Sequence, residues 1–157
     1  MLRINEILDA VEELVQERFP DSKAYRNQVP KNFKRSSFMV SIGPQTMDTF
    51  TRSLVDRTAQ VAVSLFEVVD VTHNSQVEAL NDRVTLALEL FSCPAIQVGD
   101  RCLDISNVNG SNYNNYAQVT FTLSWQDDRE TEQAEAALAK YYDLTIEVNK
   151  KEETHNG

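Results

Sequence analysis

The chain has 157 residues, a length that suits one domain. Apolar residues make up 41% and charged residues 25%, an ordinary globular composition, and four glycines with four prolines exclude collagen-like and low-complexity classes. No apolar run nears the ~20 residues of a membrane helix, and acids inside the apolar pattern of MLRINEILDAVEELV argue against a signal peptide.

Fifteen bases against 24 acids give a formal charge of −9, which disfavours non-specific binding to nucleic acid phosphates. The charge is uneven. Residues 18–57 carry eight bases against three acids, a local excess of +5, and the rest of the chain carries −14. A basic segment on an acidic body suits head-to-tail self-association. Two cysteines, Cys93 and Cys102, make no disulfide framework and fit a reducing, intracellular compartment.

Residues 2–18 read as an amphipathic helix: Ile4, Ile7, Leu8, Val11, Leu14 and Val15 recur at three-and-four spacing, and Asp9, Glu12, Glu13 and Glu17 lie off that stripe. Phe19, Pro20 and Asp21 end it. A short strand at 24–27 precedes VPKNFKRSS, residues 29–37, a basic stretch too rich in breakers for a regular element and read as an extended arm. Residues 38–42 predict a strand stopped by Gly43 and Pro44, and 45–54 an irregular connection. Residues 55–69 predict a long strand, with Val55, Ala59, Val61, Val63 and Leu65 on one face and Asp56, Thr58, Gln60 and Ser64 on the other.

Ser75 with Glu78 marks the capping box of a second helix. Its apolar stripe is Val77, Leu80, Val84, Ala87, Leu88 and Phe91, and Pro94 is its stop. Residues 95–98 and 102–108 predict short strands about Gly99 and Asp100. GSNYNN, residues 110–115, reads as a turn. Residues 116–126 form the clearest strand: Ala117, Val119, Phe121, Leu123 and Trp125 alternate with Gln118, Thr120, Thr122 and Ser124. Asp127, Asp128 and Arg129 are expected in a turn. Residues 131–142 then read as a helix with Ala134, Leu138 and Tyr141 on one side, Leu144, Ile146 and Val148 as a last strand, and 150–157 as a disordered tail. The order α-β-β-β-α-β-β-β-α-β predicts an α+β fold: a mostly antiparallel sheet with two main helices packed on one face, plus a short C-terminal helix and strand. One domain is expected over residues 1–149, with an extended basic arm at 26–37.

Few residues offer chemistry. His73 and His155 are far apart, and Cys93 and Cys102 lack metal-knuckle spacing, so they are expected as a core cysteine at a helix end and a strand cysteine. His73 is the one usable histidine base, and no serine sits in a glycine elbow. Glu78, Asp82 and Glu89 fall on the solvent side of a helix, and Asp127 with Asp128 in a turn, positions of solubility rather than acid–base work. Four glycines provide no phosphate loop. No catalytic residue, metal or cofactor is expected. What remains is surface for partners. Phe33, set among Lys31, Lys34 and Arg35, suits an anchor in an adjacent subunit, and such exchange builds rings when the rotation closes. The candidate interface residues are Arg26, Lys31, Phe33, Lys34, Arg35, Arg52 and Arg57 on the positive side and Asp127 and Asp128 on the negative.

The stretches YRNQVPKNFKRSSF (25–38), SIGP (41–44), LVDRT (54–58), NSQVEALNDR (74–83), VGDR (98–101) and YAQVTFTLSWQDDR (116–129) resemble, in order and spacing, the tail terminator proteins of phages and prophages of Gram-positive bacteria. The likeness spans roughly residues 1–148. Ser36 departs from it, standing where proline is expected. The resemblance implies a structural virion protein of the tail, assembled in the host cytoplasm. It implies a homo-oligomeric ring, usually a hexamer, on the head-proximal end of the tail tube. The ring stops tube growth and presents a surface for the head–tail connector; in contractile tails it also meets the last sheath ring. DNA passes through without being specifically bound, and no membrane is involved. Tail-type bacteriocins use the same kind of cap. Two other readings stay open: a head–tail connector or stopper protein, and a cytoplasmic small-molecule-binding domain, which predicts a deep apolar pocket.

Overall fold

A computed structural model of the chain describes residues 1–69, 77–129 and 139–140. The expected C-terminal helix, last strand and tail, Ser75 with its capping box, and both histidines lie outside the described residues, apart from helical Ala139 and Lys140.

Helix α1 spans Ile4–Arg18 and buries Ile7, Leu8, Val11 and Val15, the stripe its spacing predicts. Glu6 accepts a 2.8 Å hydrogen bond from the Arg3 amide, which caps its start. At its other end Gln16 Nε2 donates to the carbonyls of Phe19 (3.0 Å) and Ser22 (2.9 Å), holding the turn that follows. Helix α2 spans Val77–Leu90 and buries Leu80 and Ala87. Just beyond it, Phe91 stacks on Phe121 with centroids 4.3 Å apart. Val77, expected on the apolar stripe, is 67% exposed instead.

The strands are β1 (Lys23–Arg26), β2 (Ser37–Thr49), β3 (Leu54–Phe66), β4 (Ala95–Val98), β5 (Arg101–Asn112) and β6 (Ala117–Asp128), in the sheet order β1-β2-β3-β6-β5-β4. Only β1 and β2 run parallel; the other neighbours are antiparallel. The fold is α+β, as expected, with both helices on one face of the sheet. Phe38, Val40, Val61, Val63, Leu65, Val119, Phe121 and Leu123 are fully buried beneath them. Each such side chain contributes roughly 1.5–3 kcal/mol by leaving water.

Three expected boundaries are corrected. Gly43 and Pro44 do not stop β2. They form a bulge between Ile42 and Gln45, after which the ladder to β3 continues to Thr49. Proline is tolerated because β1 covers only residues 37–40, so Pro44 lies on an open edge where its missing N–H costs no ladder bond. The supposed irregular connection at 45–54 is therefore the end of a hairpin. Strand β3 stops at Phe66 rather than Val69. GSNYNN is not all turn: β5 runs through Gly110 to Asn112, and the turn is left to residues 113–116.

Gly110 lies under α2, where an added Cβ would stand 2.8 Å from Val84 Cγ1. Gly110→Ala should cost about 1–3 kcal/mol through this overlap. The melting temperature should fall, and Val84→Ala in the same chain should recover part of the loss. A variant as stable as the parent would refute this close approach.

Candidate functional site

Two of the expected interface residues, Arg57 and Asp127, meet at one end of the sheet, and they meet inside the subunit. Strand β3 places Arg57 on the core face, where its alternation puts every second residue. Strand β6 extends past Trp125 to carry Asp127, whose side chain is fully buried. Asp127 Oδ2 accepts from the Leu2 amide (2.7 Å), from Arg57 (3.2 Å) and from Trp125 Nε1 (3.4 Å). Arg101 lies 3.1 Å from Oδ1. Arg57 in turn donates to the Leu2 carbonyl at 2.7 Å and stacks 4.9 Å over Trp125. The expected exposed turn at Asp127 and Asp128 is thus corrected in part: both belong to β6 and Asp127 is buried, while Asp128 is exposed as expected and reaches Arg101 at 3.4 Å. Burial alone would raise the Asp127 pKa, but the Leu2 amide, Arg101, Trp125 and Arg57 outweigh it and hold the carboxyl below the ordinary carboxylate range. The arrangement ties the N-terminus to the sheet.

The other end holds the arm. Phe33 packs edge-on against Phe66 (4.8 Å) and Tyr25 (6.1 Å) of its own subunit. Arg35 sits 4.9 Å over Phe33 and donates to the carbonyls of Glu67 (3.1 Å) and Asn115 (2.8 Å). Burial lowers the Arg35 pKa. The Lys34 amide donates to the Tyr25 hydroxyl at 3.0 Å. Phe33 is thus folded back onto its own sheet. Arg26 is also spent internally: it bonds Asp9 at 2.7 Å and Glu12 at 2.6 Å across to α1. Burial acts to lower its pKa, and those two carboxylates outweigh that and raise it. Arg83, which sequence reasoning did not single out, joins this end. It pairs with Glu67, donates to Ser22 Oγ and the Ser37 carbonyl, and stacks 4.9 Å over Phe19.

Lys31, Lys34 and Arg52 remain exposed, with no ion pair among the described residues. Cys93 and Cys102 are both exposed, so the expected core cysteine at the helix end is corrected: Cys93 lies past α2, where Phe91 rather than the thiol turns inward. Met47 (51%) and Phe50 (56%) are exposed at the β2–β3 hairpin end, and Tyr113 (48%) at the β5–β6 turn. The outer sheet face is uncharged over its centre, in cross-strand rows Gln60–Thr122–Ser106 and Ser64–Gln118–Ser111. An open groove of about 370 Å³ follows α1, lined by Asp9, Glu12, Glu13, Gln16, Glu17 and Arg26. Another of about 610 Å³ lies on the outer face near Asp56, Cys102 and Asp104. Among the described residues no three metal-ligating side chains come together.

The family model for phage tail terminator proteins matches residues 6–135. The chain belongs to the phage tail terminator family. This makes it a structural component of the virion tail that interacts with other tail proteins, and the family is not a class of enzymes. No curated protein matches this terminator-family chain. Among the solved structures similar to it, one matches at 15% identity and a TM-score of 0.44, covering 82% of this chain and 97% of the other. No helix among the described residues of the terminator chain is long and apolar enough to cross a membrane.

Proposed function

We propose that this tail protein closes into a homo-oligomeric ring, a hexamer by family likeness, that caps the head-proximal end of the tail tube. The ring ends tube growth and offers the connector of the head a surface to dock on, with the last sheath ring as a further neighbour in contractile tails. DNA passes through its bore without being specifically bound. The match to the terminator family over residues 6–135 carries this reading. The charge pattern supports it, since net −9 lowers affinity for a passing polyanion. The open grooves are lined mostly by charged and polar side chains, which does not favour the small-molecule reading.

Of the basic arm, Lys31 and Lys34 are the cations left for acids of the next subunit or of the tube. Lys31→Glu with Lys34→Glu should leave a folded chain, judged by circular dichroism, that caps tubes at least tenfold less well. Arg35 is kept, because it holds the arm to its own sheet. Capping is read by negative-stain imaging of tails made with and without the protein. Tubes of uncontrolled length in its absence are expected. Normal tails that join heads without it would defeat the proposal. Adding the chain to growing purified tube subunit separates a terminator, which limits length, from a stopper, which leaves it unchanged.

A further inference from the structure

The two side edges of the sheet are stepped. On one edge β1 covers β2 only at residues 37–40, leaving 41–49 without a strand beyond them among the described residues. On the other edge β4 covers β5 only at residues 101–104, leaving 106–112 likewise open. The steps are at opposite heights. Following the ladders across, β4 lies level with β2 residues 46–49, because Ala95, Asp104, Ser124, Thr58 and Thr46 form one row. By the same count β1 lies level with the open part of β5: Tyr25, Met39, Ser64, Gln118 and Ser111 form another. The projection on each edge therefore matches the recess on the other in height and in width, one strand each.

We infer that a second copy of this chain docks edge to edge, its β4 filling the recess beside β2 while β1 fills the recess beside the second copy's β5. This rests on the ring reading and names the contact that builds it. The strand directions agree with it. A ring whose axis follows the strands keeps every copy in one orientation, so β1 runs antiparallel to the neighbour's β5 and the neighbour's β4 runs parallel to β2. Both pairings are hydrogen-bonding geometries. The steps engage with no shift along the strands, the condition for a flat closed ring rather than a rising filament.

The composition of the edges also agrees. Open sheet edges are commonly guarded by lysine. Residues 106–112 carry no charge, β4 carries none, and 41–49 carry only Asp48. Of the bases of β1, Arg26 is neutralised by Asp9 and Glu12 of its own α1, and Lys23 comes level with an uncharged stretch of β5, so no like charges oppose each other across the contact. The exposed Met47 stands in the recess beside β2, level with Ile96 of the incoming strand. Its exposure is what an unfilled step leaves behind.

The test is a disulfide between copies. Asp48 and Gln97 are level, exposed and on the same sheet face, and in the docked arrangement they lie in adjacent strands, within bridging reach. The background replaces Cys93 and Cys102 with serine, since Cys102 pairs with Gln97 in the same subunit. Asp48→Cys with Gln97→Cys, in tails isolated from producing cells and then oxidised, should give a ladder of covalent multimers. Thr46→Cys with Ala95→Cys, one pleat along, is the second pair. Chain present on the tails but monomeric after oxidation for both pairs would overturn the edge contact and leave the ring reading standing. Chain of the cysteine-free background absent from the tails would remove the ring reading itself, and the edge contact with it.

Discussion

Asp127→Ala should lower stability by about 3–5 kcal/mol, the cost of removing one member of a buried charge cluster. Alanine leaves the mostly buried Arg57, the Leu2 amide and Trp125 Nε1 without their shared acceptor, and Arg101 without its nearer carboxylate. The N-terminal segment then loses half of its attachment to the sheet, since Arg57 still holds the Leu2 carbonyl. Asp127→Asn keeps the shape and one acceptor, so it should cost less. The sign of the pH dependence follows from the lowered folded pKa. A carboxylate held below its unfolded value of about 3.9 adds stability at neutral pH, and that increment is lost as pH falls through the folded value. The gap between parent and variant, measured by urea unfolding, should therefore be constant above about pH 5 and shrink in stronger acid. A gap that does not narrow in acid would show that the carboxylate charge is not what stabilises this end.

Arg83→Ala should cost a similar amount, about 3–5 kcal/mol. The side chains of Arg83 and Glu67 are only 12% and 16% exposed, so among the described residues the surviving carboxylate would keep the Ser36 hydroxyl at 3.1 Å as its side-chain partner. Burial lowers the Arg83 pKa, opposed by Glu67, so the pair holds the charge that the site disfavours. The residue also bridges three elements: α2, which carries it, the Ser22 turn after α1, and the start of β2 through the Ser37 carbonyl. Two further variants separate charge from packing. Arg83→Met keeps the stem over Phe19, and Glu67→Gln in the Arg83→Ala background removes the orphaned charge. Partial recovery in the double variant is expected, of the size a double-mutant cycle assigns to contacting residues, about 0.5–3 kcal/mol. Additive losses would mean that Arg83 acts through packing alone.

Much of the fold was legible in the chain because the patterns that encode it are local. The strict alternation of Ala117 to Trp125 and the stripe Ile7, Leu8, Val11 and Val15 are periods of two and of three to four, readable within one element, and both reappear as buried faces. The errors arose where a local breaker was read without its surroundings. Pro44 stops a strand in general, but on an open edge it only makes a bulge. Gly110 reads as a turn residue; in the fold it is the strand residue that lets α2 approach.

The surface residues show the division most clearly. Sequence alone established an acidic chain with a basic segment and a succession of motifs resembling tail terminators. These rest on composition and on residues near one another along the chain. It could not show which charges are spent. Arg57 meets Asp127 across 70 positions, Arg35 meets Asn115 across 80, and Leu2 meets Asp127 across 125. Such pairs form only when β3, β6 and the N-terminus are brought together by the burial of their apolar faces. Only then do Arg26, Phe33, Arg35, Arg57 and Asp127 find their partners within the subunit, leaving Lys31, Lys34 and the stepped sheet edges exposed.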